Sequence, residues 1–139
     1  MTLGSEEFNW PVRVYYEDTD SAGIVYHASF LRFMERARTE WLRDLGYELP
    51  ELRAEHEALF TVSRMHIDYL RPALFNDMLN VSLVLTRIGG ASFLLDQQVH
   101  RSTEELLCRA EVRIACVDAT TLRPRPIPQA VLTELKRDR

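Results

Sequence analysis

Between Tyr16 and His27 the chain reads Tyr-Glu-Asp-Thr-Asp-Ser-Ala-Gly-Ile-Val-Tyr-His, a run of carboxylates, hydroxyls, one glycine and one histidine. It stands directly before a long stretch of helical periodicity. A helix start presents N–H groups without intrahelical partners and carries partial positive charge, so it can polarise a carbonyl or hold an oxyanion. A carboxylate beside it, Asp20, can attack that carbonyl or take a proton from water. His27 can position Asp20, the water or the carbonyl. The same residues have plainer uses: Asp20 suits an Asx turn, His27 a hydrogen bond at the helix start, and Tyr15, Tyr16 and Tyr26 packing with a satisfied hydroxyl. Residue types alone leave both readings open.

The elements that must hold this segment can be read from periodicity. Val12, Val14 and Tyr16 alternate with Arg13 and Tyr15, the period of a short strand after a polar leader. From about Ala28 to Leu45, Phe30, Phe33, Met34, Ala37, Trp41 and Leu45 recur at helical spacing with Arg32, Arg36, Thr39 and Arg43 opposite, and Gly46 suits a left-handed stop. On that helix Glu35 and Arg38 stand three apart and can pair, in a solvated or interface salt bridge rather than in catalysis. Leu49 to Glu57 is weakly helical or irregular, with Pro50 against a long continuation. Phe60 and Val62 alternate on even numbers but Met65, Ile67 and Tyr69 on odd ones, which predicts a β-bulge near Ser63-Arg64 or two abutting strands. Leu79 to Leu85, a Gly89-Gly90 turn, Phe93 to Val99, and Cys108 to Cys116 complete the strands. Residues 123–128 are proline-rich and extended, and Gln129 to Arg137 reads as a short helix with Ala130, Val131, Leu132 and Leu135 on its apolar side. One long amphipathic helix and strands joined by hairpin-length turns make an α+β fold on an antiparallel sheet.

Composition narrows the function classes. The chain has 139 residues, 46% hydrophobic and 27% charged, with a net charge of −4. These values fit one soluble domain, with a core at about 12–117 and a C-terminal segment at 123–137. The acidic balance speaks against a nucleic-acid footprint, which needs clustered Lys and Arg. No apolar run is long enough for a membrane span, and Met1 to Trp10 lacks the pattern of a signal peptide, so a cytoplasmic location is expected. Cys108 and Cys116 lie about 26 Å apart on a continuous strand, too far for a disulfide, and their spacing gives no metal site. Nucleotide-binding glycine motifs and a serine-hydrolase elbow are absent from the sequence.

Asp18-Thr19-Asp20-Ser21-Ala22-Gly23-Ile24-Val25-Tyr26-His27-Ala28-Ser29-Phe30, continued by Phe33-Met34-Glu35-Arg36-Ala37-Arg38, resembles the signature of the 4-hydroxybenzoyl-CoA thioesterase family of hotdog-fold enzymes. Within it the stretch is most similar to the bacterial Tol–Pal-associated acyl-CoA thioesterases. Ile67-Asp68-Tyr69-Leu70-Arg71-Pro72-Ala73 with Asp77 is also similar to that branch. The resemblance implies a five-stranded antiparallel sheet wrapped around a long central helix, and subunits that pair, commonly within a tetramer, with active sites at the interface. It implies hydrolysis of a short or medium acyl-CoA, or of acyl carried on acyl carrier protein. No cofactor and no metal are expected, CoA being part of the substrate. Asp20 matches the catalytic carboxylate, the backbone N–H groups of Val25, Tyr26 and His27 would polarise the thioester carbonyl, and His27 favours the Tol–Pal branch. Tyr16, Gly23, Arg64 and Arg87 are candidate substrate contacts, with Arg71 and Arg101 as further cations for the CoA phosphates. A hotdog hydroxyacyl dehydratase using His27, or a non-catalytic acyl-binding scaffold protein of the cell-envelope machinery, are the alternative readings.

Overall fold

The helix-periodic stretch needs a face on which to bury its apolar stripe, and the strands supply it. In the computed structural model, which describes residues 6–137, the stretch forms α1 over Ser29–Asp44. Phe33, Met34 and Ala37 are completely buried in it. The strands are β1 Phe8–Arg13, β2 Ala58–Tyr69, β3 Met78–Ile88, β4 Ser92–Ser102 and β5 Glu105–Asp118. Among the described residues they form one antiparallel sheet in the order β1-β3-β4-β5-β2. Alternation along β5 gives that sheet a dry inner face, with Val112, Ile114 and Cys116 buried while Glu111 and Arg113 are exposed. The helix lies on this face, where the Trp41 ring meets Phe93 at 5.9 Å between centroids.

Gly46 ends α1 as the sequence predicts. Its φ of +102° lies in the left-handed region, and two bonds close a Schellman motif: Gly46 N–H to Arg43 O at 3.0 Å and Tyr47 N–H to Leu42 O at 2.8 Å. Leu49–His56 is a regular helix, α2, because Pro50 occupies its first turn, where no N–H is needed. The parity change in β2 is a bulge, with the register against β5 shifting between Val62 and Arg64.

The first strand lies earlier than its alternation suggested. Pairing with β3 runs from Phe8↔Leu83 to Arg13↔Met78, so Phe8 and Trp10 belong to the sheet and Tyr16 does not. Pro11 is tolerated because β1 is an edge strand. Val14 stays buried and donates its N–H to Asp77 O at 2.9 Å. Part of the polar leader, residues 1–5, falls outside the described residues. The C-terminal helix, α3, spans Gln129–Lys136 and buries Val131 and Leu135, but Ala130 faces solvent.

Glu35 and Arg38 form no ion pair among the described residues. Arg38 instead donates to Gln97 Oε1 at 3.0 Å, and the fully buried Gln97 returns its Nε2–H to Met34 O at 3.0 Å. Cys108 and Cys116 are both free and buried.

Two measurements check these assignments. Gly46→Ala should cost roughly 1 kcal/mol, because alanine is strained at this φ, and lower Tm by about 3–5 °C in calorimetry. Burial pushes the Cys108 thiol up to about 12 and also raises Cys116. Since the thiolate is the reacting species, Ellman's reagent at pH 8 should modify less than roughly a tenth of the thiols in the native protein and both after unfolding.

Candidate active site

The segment from Tyr16 to Ala28 folds back on itself before entering α1. Thr19 pairs with Val25, Asp20 N–H donates to Ile24 O at 2.9 Å, and Gly23 N–H donates to Asp20 O at 3.0 Å. This is the hydrogen-bond pattern of a three-residue hairpin loop, with Asp at the first turn position and a left-handed glycine at the last, Gly23 at φ +83°. Asp20 and His27 therefore stand on the two arms of one loop. The Asx turn anticipated for Asp20 is present, since its Oδ1 accepts the Ala22 N–H at 2.9 Å. That bond fixes the carboxylate while the side chain stays exposed, leaving Oδ2 without a partner among the described residues. Gly23 serves the turn, with nothing within 4 Å of where its Cβ would lie.

The loop is fixed to the helix start by Asp18, whose role sequence reasoning missed. Asp18 is 3% exposed. Its Oδ2 accepts the Tyr15 N–H at 2.8 Å, and its backbone O accepts the Tyr26 N–H at 2.9 Å and the Ser29 hydroxyl at 3.1 Å. Arg32, one turn into α1, donates to Ser29 Oγ at 2.8 Å and stands 3.5 Å from Asp18 Oδ1. Ser29 and Arg32 at i, i+3 after an Asp-x-Asp were the available signal.

Counting donors along the helix entry revises the carbonyl-polarising set. Val25 N–H is held by Ala73 O at 2.8 Å and Tyr26 N–H by Asp18 O, so neither is open to a ligand, contrary to the expectation. Ser29, Phe30 and Leu31 donate to Tyr26, His27 and Ala28 carbonyls in a tightened first turn. Among the described residues, the N–H groups of His27 and Ala28 are left without acceptors. They are adjacent, lie at the positive end of α1, and follow directly from the loop that carries Asp20. Sequence reasoning named His27 in this role but not Ala28, because helix bounds cannot be read to one residue.

The His27 ring packs on Tyr26 at 4.5 Å and edge-on to Tyr69 at 5.9 Å between centroids. Desolvation, with a smaller contribution from Cys108, pushes the Tyr69 phenol pKa up. Tyr16 lies in a single 3-10 turn, 80% exposed, with its ring edge against Phe75 at 5.9 Å. It forms the outer rim of the loop.

Arg64 and Arg87 are not part of this loop. They share a groove of about 250 Å³ with Arg113, Gly89 and Leu94. Arg87 pairs with Leu94, Leu94 with Arg113, and Arg113 with Arg64, so the three guanidinium side chains fall in one row across β3, β4, β5 and β2. They lie on the outer sheet face, since Ile88, Phe93, Val112 and Ile114 beside them are buried. None of the three has a carboxylate partner among the described residues. Arg113 was not singled out from the sequence, because strand alternation gives a face but not a neighbour. Arg101, a candidate cation, is fully engaged by Asp77, Glu105 and Pro72 O.

A cavity of about 480 Å³ lies between α1, the start of α2 and the inner face of the sheet. Trp41, Phe60 and Phe93 form its aromatic wall, while Glu35 and Arg38 supply the polar side. Among the described residues no group of His, Cys, Asp and Glu is arranged to hold a metal ion, and no helix is long and apolar enough to cross a membrane.

The chain and its fold have counterparts among known proteins. Residues 14–135 match the thioesterase-like superfamily. The acyl-CoA thioester hydrolase YbgC of Shigella flexneri is 44% identical over 129 residues, covering 93% of this chain and 96% of the relative. The acyl-CoA thioesterase YbgC of Haemophilus influenzae is 44% identical over 124 residues, 89% and 90% of the two chains. A probable thioesterase from Bartonella henselae superposes with a TM-score of 0.84 at 36% identity, over 88% of this chain and 100% of that one. A 1,4-dihydroxy-2-naphthoyl-CoA thioesterase from Synechocystis gives 0.84 at 27% identity, over 94% and 96%. The chain belongs to the thioesterase-like superfamily and is a hotdog-fold thioesterase.

Proposed function

We propose that the protein hydrolyses acyl-CoA thioesters at the 20–28 loop, with Asp20 as the working carboxylate. Acyl-CoA hydrolysis is the activity named for the relatives at 44% identity, and the observation that carries the site is the pair of open N–H groups at His27 and Ala28 beside the Asp20 turn. The carbonyl oxygen of the thioester sits on those two donors. Asp20 either takes a proton from water, whose oxygen adds to the carbonyl carbon, or adds its own Oδ2 to form a mixed anhydride that water then cleaves. In both routes the oxyanion forms where two donors already point, and the C–S bond breaks to release the thiol and a free acid. His27, buttressed by Tyr69, orients the carbonyl or the water. No cofactor enters this chemistry.

The working unit is a homodimer. β2 is a twelve-residue edge strand, and an unpaired edge of that length is a template for a second chain. Antiparallel self-pairing about its middle brings the Tyr69 end of one protomer, with the catalytic loop beside it, to the Ala58 end of the other. Phe60, Thr61 and Val62 near that end line the 480 Å³ cavity, so the acyl group enters the partner's cavity, and dimers associate further into a tetramer. The arginine row on the outer face spans about 14 Å, three strand spacings. It suits the CoA phosphates, and fork-shaped guanidinium groups favour such ligands. Acyl carrier protein is the second carrier to test, and the setting is cytoplasmic.

Asp20→Asn should lose at least ~10²-fold in kcat with the circular dichroism spectrum unchanged; near-normal turnover would remove Asp20 from the mechanism. His27→Ala should lower kcat by about 10-fold or more on the same assay, and unchanged kcat and KM would reduce His27 to packing. Arg64→Ser with Arg113→Ser should raise KM for acyl-CoA by about 10-fold while leaving the matching acyl-pantetheine thioester untouched, since that substrate lacks the nucleotide phosphates. Equal effects on both substrates would place the phosphates elsewhere.

A further inference from the structure

The loop that carries Asp20 is held from behind by the segment 72–77, and that segment is itself held by one side chain. Val25 N–H donates to Ala73 O at 2.8 Å, and Ile24 pairs with Leu74. Ala73 is completely buried. The segment closes on itself through Asp77, whose N–H donates to Leu74 O at 3.1 Å and whose Oδ2 accepts the Leu74 N–H at 2.8 Å. Arg101, at the end of β4, then grips the turn twice with Nη1: Pro72 O at 3.1 Å and Asp77 Oδ2 at 2.9 Å. Its Nε and Nη2 are spent on Glu105 at the start of β5, at 2.9 and 2.6 Å. The guanidinium fork therefore joins the rigid β4–β5 end of the sheet to the turn beneath the catalytic loop.

We propose that Arg101, acting with Asp77, is a positioning residue for the hydrolysis: it sets the height of Ala73 O, and through Val25 the placement of Asp20 relative to the His27 and Ala28 donors. The proposal rests on the 20–28 loop being the catalytic site. Its physical basis is the rigidity of the linkage. Arg101 makes its contacts with a planar fork that lysine, a point charge, cannot reproduce. Pro72 O and Asp77 lie on opposite sides of Ala73, so holding both fixes the direction of the carbonyl between them. Displacement of about 1 Å in a reacting group is enough to cost ~10²-fold in rate, which makes a remote anchor visible in kcat. Among the described residues, other arginine–carboxylate pairs lie away from the 72–77 turn. Arg43, for example, is held by Glu40 and Glu48 at the far end of α1.

The test uses the full-length protein with an acyl-CoA substrate. Arg101→Met should lower kcat by at least 10-fold with KM within 3-fold, Arg101→Lys should recover part of the loss, and Arg43→Met should leave kcat unchanged. In parallel, amide hydrogen exchange should show Val25 losing protection in Arg101→Met by at least 10-fold while Val81 and Val99 in the sheet keep theirs. Should Arg101→Met not fold, Asp77→Asn serves in its place: asparagine still accepts from Leu74 N–H but loses the charge facing Arg101, and the same kcat loss and Val25 exposure are expected. A folded variant of either kind with wild-type kcat, or with lowered kcat and unchanged Val25 protection, overturns the proposal. If the wild-type protein cleaves no acyl-CoA, the thioesterase reading of the site fails on its own, and the anchoring is still decided by Val25 exchange.

Discussion

The structure depends on one constraint, that the start of a buried helix must find acceptors for its free N–H groups. α1 is driven onto the sheet by Phe30, Phe33, Met34, Ala37 and Trp41, and burying such a stripe contributes roughly 1.5–3 kcal/mol per large side chain. That burial leaves the N-terminal donors close to the protein interior, where an unpaired N–H costs about 1–3 kcal/mol. The chain meets the demand with a tightened first turn, and Asp18 O and Ala73 O hold the Tyr26 and Val25 N–H groups of the segment leading into it. His27 and Ala28 are partly exposed and keep N–H groups without acceptors among the described residues, open to water or a ligand. The donors suited to an oxyanion are those that folding did not consume.

The same constraint explains why two aspartates two residues apart do different things. Asp18 is buried, and both its carboxylate and its carbonyl are used to tie the loop to Tyr15, Tyr26 and Ser29. Asp20 is exposed and spends one oxygen on its own turn. A buried carboxylate with backbone donors and a nearby arginine is a structural strut, whereas one held only at Oδ1 keeps an oxygen for chemistry. Exposure, rather than residue type, separates the two roles.

That separation marks the limit of what the sequence made legible. Periodicity placed α1, its glycine stop, the β2 bulge and the hairpin at Gly89-Gly90, because each is a local consequence of side-chain spacing or backbone freedom. The run from Tyr16 to His27 also read as a junction between strand and helix, and the structure folds it into one loop. Pairing was the missing information. β1 was displaced by several residues because its bounds are set by β3, which is distant in sequence, and the Val25 and Tyr26 N–H groups were misassigned because their acceptors, Ala73 and Asp18, come from other turns. Arg113 escaped notice for the same reason: only the register of β5 against β4 and β2 aligns it with Arg87 and Arg64.

The Glu35–Arg38 spacing failed in a more instructive way. An i, i+3 pair on a solvated helix is worth little, about 0.2–0.5 kcal/mol, and here a stronger demand displaced it. Gln97 is completely buried on β4 and must satisfy both ends of its amide. It does so by donating to Met34 O and accepting from Arg38. An apolar stripe alone would let α1 slide or roll on the sheet, since hydrophobic contact has no direction. One amide that reaches across the layer to a helix carbonyl removes that freedom. It sets the axial position of the helix, and so the placement of the His27 and Ala28 N–H groups relative to a loop held through Arg101 at the β4–β5 turn.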